Sequence, residues 1–128
     1  MKRTALLLAA LLLAGCESAP IREIRGLFQP HKGEPELAAG IRSYEDGRYA
    51  ESARQLQSAL DAGLGRTDQV RAHKYLAFIH CSSGRERACR EEFRKALDLD
   101  PGFELAPAEA GHPVWGPVFR SEKARRRP

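Results

Sequence analysis

Apolar residues recur every three or four positions from about residue 35 to residue 99, the spacing that places side chains on one face of a helix. In the first such segment these positions are Leu37, Ile41 and Tyr44. No strand pattern competes with this period, so we expect an all-α protein. The pattern predicts four helices: residues 35–46, residues 49–62, the segment between a cap at Thr67 or Asp68 and the turn at residues 82–84, and residues 86–99.

The N-terminus begins with Met1-Lys2-Arg3, continues with an apolar run of ten residues over positions 5–14, and ends that run in Leu13-Ala14-Gly15-Cys16. This order is typical of a secretory signal, and the run is too short to span a bilayer, which takes about 20 apolar residues. Leu13 to Cys16 resembles the lipobox of bacterial lipoproteins. The resemblance implies that residues 1–15 are a signal peptide and that Cys16 becomes the lipidated first residue, which holds the protein on a membrane.

The residues after Cys16 bear on where such a lipoprotein would lie. In enterobacterial lipoproteins an aspartate at the next position signals retention in the inner membrane, and here that position is Glu17. The resemblance therefore implies the outer membrane, with the protein facing the periplasm. Residues 16–34 are interrupted by proline and glycine, and we expect them to form the lipidated N-terminus and a flexible tether. The alternative is an ordinary secretory peptide that leaves Cys16 as a plain thiol.

The second predicted hairpin resembles a tetratricopeptide (TPR) repeat. Its matching residues are small or aromatic where two antiparallel helices must pack closely, and glycine or proline where the chain turns or a helix ends: Ala77, Gly84, Cys89, Phe93, Ala96 and Pro101. The first hairpin matches more loosely, and Ser52 stands where a small alanine is usual. The resemblance implies antiparallel helical hairpins of TPR type, about two repeats, over residues 35–112. A generic four-helix domain is the alternative.

Two repeats are fewer than the three that usually bury a continuous core, so another segment must cover the last hairpin. A concentrated apolar patch follows it, with Val114, Trp115, Val118 and Phe119. We expect a helix from residue 113 or 114 to about residue 125 that packs on the fourth helix. Residues 113–128 would then be a C-terminal capping helix and a basic tail. Alternatively, Trp115 and Phe119 belong to a peptide that binds a partner.

The chain has three cysteines, and lipidation of Cys16 would leave Cys81 and Cys89 as a pair. A turn signal at residues 82–84 lies between them, so a helical hairpin that bends there would let the two side chains face one another. Export would place them in an oxidising compartment, and we expect a disulfide. Two buried thiols are the alternative. These cysteines and His80 do not have a standard zinc spacing, so no metal site is expected.

Charge argues against nucleic acid as a partner. The formal charge of the chain is +4, and removal of Lys2 and Arg3 with the signal would leave about +2. The positive residues are concentrated at the C-terminal end: Arg120, Lys123, Arg125, Arg126 and Arg127. This end is either a solvated tail or a contact for anionic lipid headgroups or for an acidic partner.

The TPR resemblance also implies a concave face lined by the first helix of each hairpin, where another protein binds. The candidate groove residues are aromatic or cationic: Tyr44, Arg71, Lys74, Tyr75 and Phe78. Aromatic rings flanked by two cations favour an extended peptide or a partner helix that carries acidic groups. The alternative is that the chain's own tail or tether covers Tyr75 and Phe78.

No motif for catalysis or for phosphate binding is present, so we expect neither an enzyme nor a cofactor nor a small-molecule substrate. The features together predict an outer-membrane-anchored TPR lipoprotein that acts as an adaptor or assembly factor for an envelope complex, such as secretion or pilus machinery, by binding another envelope protein. The alternative function is a non-catalytic activator or regulator of a peptidoglycan-synthesising enzyme.

Overall fold

A computed structural model describes residues 30–127, so the predicted signal peptide, Cys16 and the tether up to residue 29 lie outside the described residues. The described part of the chain is helical and contains no strand, which confirms the predicted all-α class. Its helices, numbered here in chain order, are α1 (Glu34–Glu45), α2 (Tyr49–Ala62), α3 (Arg66–Ser82), α4 (Glu86–Leu99), α5 (Pro107–Ala110) and α6 (Trp115–Ala124).

The first four helices form two hairpins of TPR type, α1 with α2 and α3 with α4. Each hairpin turns at a glycine with positive φ, Gly47 at 76° and Gly84 at 74°, a backbone conformation that costs glycine little because it has no Cβ. Helices α2 and α4 have the bounds that the apolar period predicts. The hairpins stack through α3, which contacts both helices of the first hairpin.

The start of α3 differs from the prediction, because neither Thr67 nor Asp68 caps the helix. The helix begins at Arg66, and the preceding Gly65 has extended backbone without a side-chain cap. A Cβ on Gly65 would lie 3.0 Å from Nε2 of His31, so a glycine lets the chain pass under that ring. The Asp68 carboxylate accepts a hydrogen bond from Arg71 instead.

The first hairpin packs closely although its match to the TPR pattern is loose. A Cβ on Gly40 would lie 2.8 Å from Cγ of Leu56, so glycine is what allows α1 and α2 to approach each other. Ser52 is fully buried, and its hydroxyl donates a 2.7 Å hydrogen bond to the carbonyl of Gly40. The serine that replaces the usual alanine therefore has a partner for its polar group and adds a link between the two helices.

The second hairpin holds the larger part of the core. Its buried residues are mostly small or aromatic, and include Ala77, Phe78, Cys89, Phe93, Ala96 and Leu97. Helix α6 packs against α4 and α3, with the ring of Phe119 at 5.3 Å from that of Phe93. Val118 and Phe119 are buried in the same cluster. The capping helix therefore covers the last hairpin, as expected, and extends from Trp115 to Ala124.

Two local features were not predicted. The short helix α5 lies between the second hairpin and α6, and Gly116 contacts it so closely that a Cβ there would lie 2.5 Å from the carbonyl oxygen of Ala110. At the other end, the amide of Gly33 donates a 2.9 Å hydrogen bond to the carbonyl of Gly63. Residues from His31 onward thus belong to the compact helical unit, a few residues before the boundary at residue 35.

Candidate functional site

Aromatic rings from both hairpins and from the tail form a continuous ladder, in which each ring contacts the next. The ladder consists of Tyr49, Tyr44, Tyr75, Phe78, Trp115 and His112. Its first half joins the two hairpins, since the ring centroids of Tyr44 and Tyr75 are 5.0 Å apart in an edge-to-face arrangement. Three of the five predicted groove residues, Tyr44, Tyr75 and Phe78, are brought together here.

The C-terminal segment covers one half of the ladder. Trp115 stacks on Phe78 at 4.3 Å between ring centroids, and Phe78 is only 2% exposed. The indole N–H of Trp115 donates to the carbonyl of Glu109 at 2.9 Å. Phe78 is therefore a core residue beneath the tail and is not available to a partner, which is the alternative that the sequence left open.

Lys74 is also engaged by the tail. Its Nζ donates to Oε1 of Glu109 at 2.8 Å and lies 4.8 Å from the centroid of the Tyr75 ring. The carboxylate of Glu109 thus already occupies the place where an acidic partner was expected to bind. The second oxygen of Glu109 is buried and has no hydrogen-bond partner among the described residues.

Arg71 is paired as well, because it donates to Asp68 at 3.1 Å. It lines a cavity of about 180 Å³ together with residues of the α3 start and of the turn after α4, among them Val70 and Phe103. With Lys74 paired to Glu109 too, both predicted groove cations are compensated within the chain. An acidic partner would therefore have to compete with Asp68 and Glu109 for these two cations.

The other half of the ladder is open. Tyr49 is 48% exposed, and Tyr44 and Tyr75 are half-buried beside it. Burial is the main cause that raises the pKa of Tyr44 to about 12, with smaller contributions from Tyr49 and Tyr75. The Tyr44 phenol is protonated near neutral pH, as an ordinary tyrosine is, and can donate a hydrogen bond. This open tyrosine surface, defined by Tyr44, Tyr49 and Tyr75, is the candidate binding site.

A buried polar cluster lies between α3 and α4. Glu92 is 8% exposed, and its carboxylate accepts hydrogen bonds from Nδ1 of His73 at 2.6 Å and from Nζ of Lys95 at 3.1 Å. Burial by itself would raise the pKa of Glu92, but these two hydrogen bonds outweigh it and the pKa lies below its ordinary value. The cluster links the helices of the second hairpin.

His80 and the pair of Cys81 and Cys89 also make contacts within the second hairpin. Burial and the positive charge of Arg85 lower the pKa of His80, whose Nδ1 accepts a 3.1 Å hydrogen bond from Arg85. Cys81 and Cys89 are both buried, and the structure joins them by a disulfide between α3 and α4. Within residues 30–127, no three His, Cys, Asp or Glu side chains are grouped so that they could hold a metal ion.

Among the helices of residues 30–127, none combines the length and the apolar character that crossing a membrane requires.

Two curated proteins from Synechococcus match the chain. Photosystem I assembly protein Ycf3 of strain CC9605 is 36% identical over 81 residues, which are 62% of this chain and 47% of the relative. The protein of the same name from strain CC9902 is 36% identical over 62 residues, which are 48% of this chain and 36% of the relative. The chain thus spans less than half the length of either relative. No family model matches the chain, and no solved structure matches it.

These relatives are TPR proteins, so the similarity supports the hairpin type seen in the structure and a role in protein–protein interaction. Both are named as assembly proteins rather than as enzymes, which agrees with the prediction that this chain is not an enzyme. A lipoprotein nature is not part of what the similarity shows.

Two expectations from the sequence are wrong in the light of these relatives. Proteins named for photosystem I assembly contradict an adaptor for secretion or pilus machinery, or an activator of a peptidoglycan-synthesising enzyme. They likewise contradict a location on the outer membrane facing the periplasm. The physical reason is that a hairpin stack presents the same kind of surface whichever complex uses it, so the fold does not identify the partner.

Proposed function

We propose that this chain is a non-catalytic assembly factor that holds a subunit of a protein complex on its open tyrosine surface during assembly. The observation that carries the proposal is the ladder of rings whose tail-covered half is closed and whose Tyr49 end is exposed. The similarity to two photosystem I assembly proteins supports an assembly role for this chain.

Tyrosine is well suited to such a surface. Its ring offers a large apolar contact at a small cost in conformational entropy, and its hydroxyl forms hydrogen bonds at the edge of the contact. Tyr44 and Tyr75 are held in place by their neighbours in the ladder, so little ordering is required when a partner binds. Because Lys74 and Arg71 are already paired, we infer a partner segment that is apolar or aromatic with uncharged polar groups, rather than an acidic one.

Site-specific photocrosslinking in the native cells tests the proposal. A photoreactive amino acid at position 49 should give one discrete adduct with a partner protein. The same amino acid at position 54 is the matched control, because Arg54 is exposed on the same helix and lies about 140° away around its axis. We expect no adduct from position 54. Identical adduct patterns from both positions, or none from position 49, would contradict binding at the tyrosine surface.

We also propose that Cys16 carries a lipid that holds the chain on a membrane. The support is the sequence Leu13-Ala14-Gly15-Cys16 after an apolar run. Cells fed labelled palmitate should incorporate the label into the chain, and Cys16→Ser should abolish that incorporation. Ser18→Ala, two residues away, is the control and should leave it intact. If the wild-type chain did not incorporate the label, the lipid anchor would be contradicted, and the proposal of binding at the tyrosine surface would be unaffected.

A further inference from the structure

Positive charge is gathered at one end of the helical unit. Residues 120–127 contain five cationic side chains and one acidic side chain, a net charge of +4. Residues 30–119 contain twelve cationic and fourteen acidic side chains, a net charge of −2. The described part of the chain is therefore electrically asymmetric, with its positive charge in residues 120–127, the second half of α6 and the residues after it.

Two of the five cations have acidic partners. Lys123 donates to the carbonyl of Phe103 at 2.7 Å and is paired with Glu104. Arg126 is paired with Asp98. These two cations attach the C-terminal segment to the rest of the domain, and their charge is locally compensated.

The one acidic residue of this end does not compensate the others. Glu122 is 1% exposed, and its two oxygens lie 3.0 Å from Arg90 and 3.5 Å from Arg94, both on α4. Glu122 therefore neutralises arginines of the second hairpin and is directed into the domain, away from the cations of its own helix.

Three arginines remain: Arg120, Arg125 and Arg127. All three are exposed, and none forms a salt bridge with a residue of the described range. Arg120 donates one hydrogen bond to the carbonyl of Ala110, which leaves its charge uncompensated. Arg120 and Arg127 line the same open groove of about 320 Å³, together with the paired residues Lys123 and Glu104.

We propose that this basic end, formed by Arg120, Arg125 and Arg127, binds anionic lipid headgroups at a membrane surface. Unpaired guanidinium groups suit phosphate oxygens, which accept several N–H donors at once. A negatively charged membrane attracts every exposed cation near it, so a cluster at one end also orients the domain. The contact goes beyond the proposed assembly role, and it does not depend on a lipid at Cys16.

The surroundings of the arginines favour a lipid surface over an acidic protein. Stable protein interfaces are centred on buried aromatic or apolar anchors, with charges at the rim. Among residues 30–127 the large apolar side chains that are exposed are Tyr49 and Val114, and neither belongs to the basic end. Phe119, which lines the groove there, is buried in the core. A charged surface without such an anchor fits the anionic headgroups of a membrane better than it fits a protein interface.

Vesicle binding of the full chain tests the proposal, with Cys16→Ser so that no acyl chain contributes. The vesicles contain equal amounts of phosphatidylglycerol and phosphatidylcholine, or phosphatidylcholine alone. We expect binding to the anionic vesicles that weakens at high salt. The triple change Arg120→Gln, Arg125→Gln and Arg127→Gln should weaken it roughly a hundredfold, since each cation near such a surface contributes about a fivefold factor.

A matched control removes the same charge elsewhere. The change Arg42→Gln, Arg54→Gln and Arg87→Gln affects three exposed arginines on other helices and should weaken binding far less. Replacing the three C-terminal arginines by lysine should preserve binding, because the charge is kept. The double change at positions 125 and 127 lies beyond the end of α6 and should still cost roughly 25-fold without disturbing the helix.

Three outcomes would overturn the proposal. Equal binding of the wild type to anionic and to neutral vesicles would show that charge is not what attracts the chain. Equal losses in the C-terminal and the control triple variants would show that net charge, and not this end, is responsible. Binding to soluble polyglutamate without binding to anionic vesicles would assign the arginines to an acidic protein.

Discussion

At the scale of single residues, Glu92 shows how a charge is accommodated inside a small helical domain. Its carboxylate is buried, yet both oxygens accept hydrogen bonds, from His73 on α3 and from Lys95 on α4. Burying a carboxylate is costly unless it is paired and hydrogen-bonded, and here both conditions are met. The apolar period alone does not separate Glu92 from its charged neighbour Glu91, so the burial of Glu92 follows only from the packing of the two helices.

Glu92→Gln should lower the free energy of unfolding by about 2 kcal/mol at pH 7, since hydrogen bonds to a charged group are lost. The pKa of Glu92 is lower in the folded chain than its ordinary value of 4.5. Its stabilising contribution is therefore fully present above that value and is lost as the pH falls through the lower folded-state pKa. The difference between wild type and variant should shrink in acid, as chemical denaturation at several pH values will measure.

Glu91→Gln is the matched control for this prediction. Glu91 is the preceding residue and undergoes the same chemical change, but its side chain is exposed and lies 3.8 Å from Lys95. An exposed pair of this kind contributes little, so we expect a change within about 0.5 kcal/mol at every pH. A Glu92→Gln variant as stable as Glu91→Gln at pH 7 would show that the buried cluster does not stabilise the hairpin.

At the scale of elements, the capping helix α6 explains how two hairpins form a stable unit. The sequence predicted its position and its packing partner, because four large apolar residues within six positions favour packing against another helix. It did not predict α5, whose four residues are too few for a helical period. Nor did it predict that Gly65 rather than Thr67 or Asp68 precedes α3, because the ring of His31 that crowds Gly65 is distant in the chain.

Trp115→Ala should lower the free energy of unfolding by about 3 kcal/mol, which for a unit of this size corresponds to a fall in Tm of roughly 10–20 °C. The change removes the stacking on Phe78 and the hydrogen bond from the indole N–H. Thermal unfolding followed by circular dichroism measures it. Val114→Ala, an adjacent and 46% exposed residue, is the control and should change Tm little.

Trp115→Phe separates the two contributions, since it keeps an aromatic ring on Phe78 and loses the N–H donor. We expect the loss of this hydrogen bond to lower the free energy of unfolding by about 1 kcal/mol. If Trp115→Ala had an unchanged Tm but an altered crosslinking pattern at position 49, the tail would act as part of a binding surface and not as a cap.

At the scale of the whole molecule, the tail covers one half of the aromatic ladder and leaves the other half open. The candidate groove was predicted as one surface, with cations that attract an acidic partner. Glu109 pairs with Lys74 and Trp115 covers Phe78, so the part of the ladder that stays exposed is its tyrosine end. Tyr49 belongs to that end but was not among the predicted groove residues, because it lies on the second helix of its hairpin. It reaches the ladder by contact with Tyr44.

The basic end and the tyrosine surface would give the molecule two separate contacts, one for a membrane and one for a protein. The sequence showed a charge cluster that includes Arg120, Arg125 and Arg127. It did not show that these three arginines form no salt bridge within the described range. Their charge is not compensated by Glu122, because that side chain is paired with Arg90 and Arg94 instead. Lipidation of Cys16 stays a prediction of the sequence alone, since that residue lies outside the described range.

The helical class, the bounds of α2 and α4 and the presence of a capping helix could all be predicted from the spacing of residues along the chain. These features depend on interactions within one or two helical turns, which the spacing of apolar residues and glycines reveals. The pairing of Glu109 with Lys74, 35 residues away, and the covering of Phe78 by Trp115 could not be predicted in this way. Such contacts depend on where the tail lies once it has folded, and this geometry decides which aromatic residues stay open to a partner.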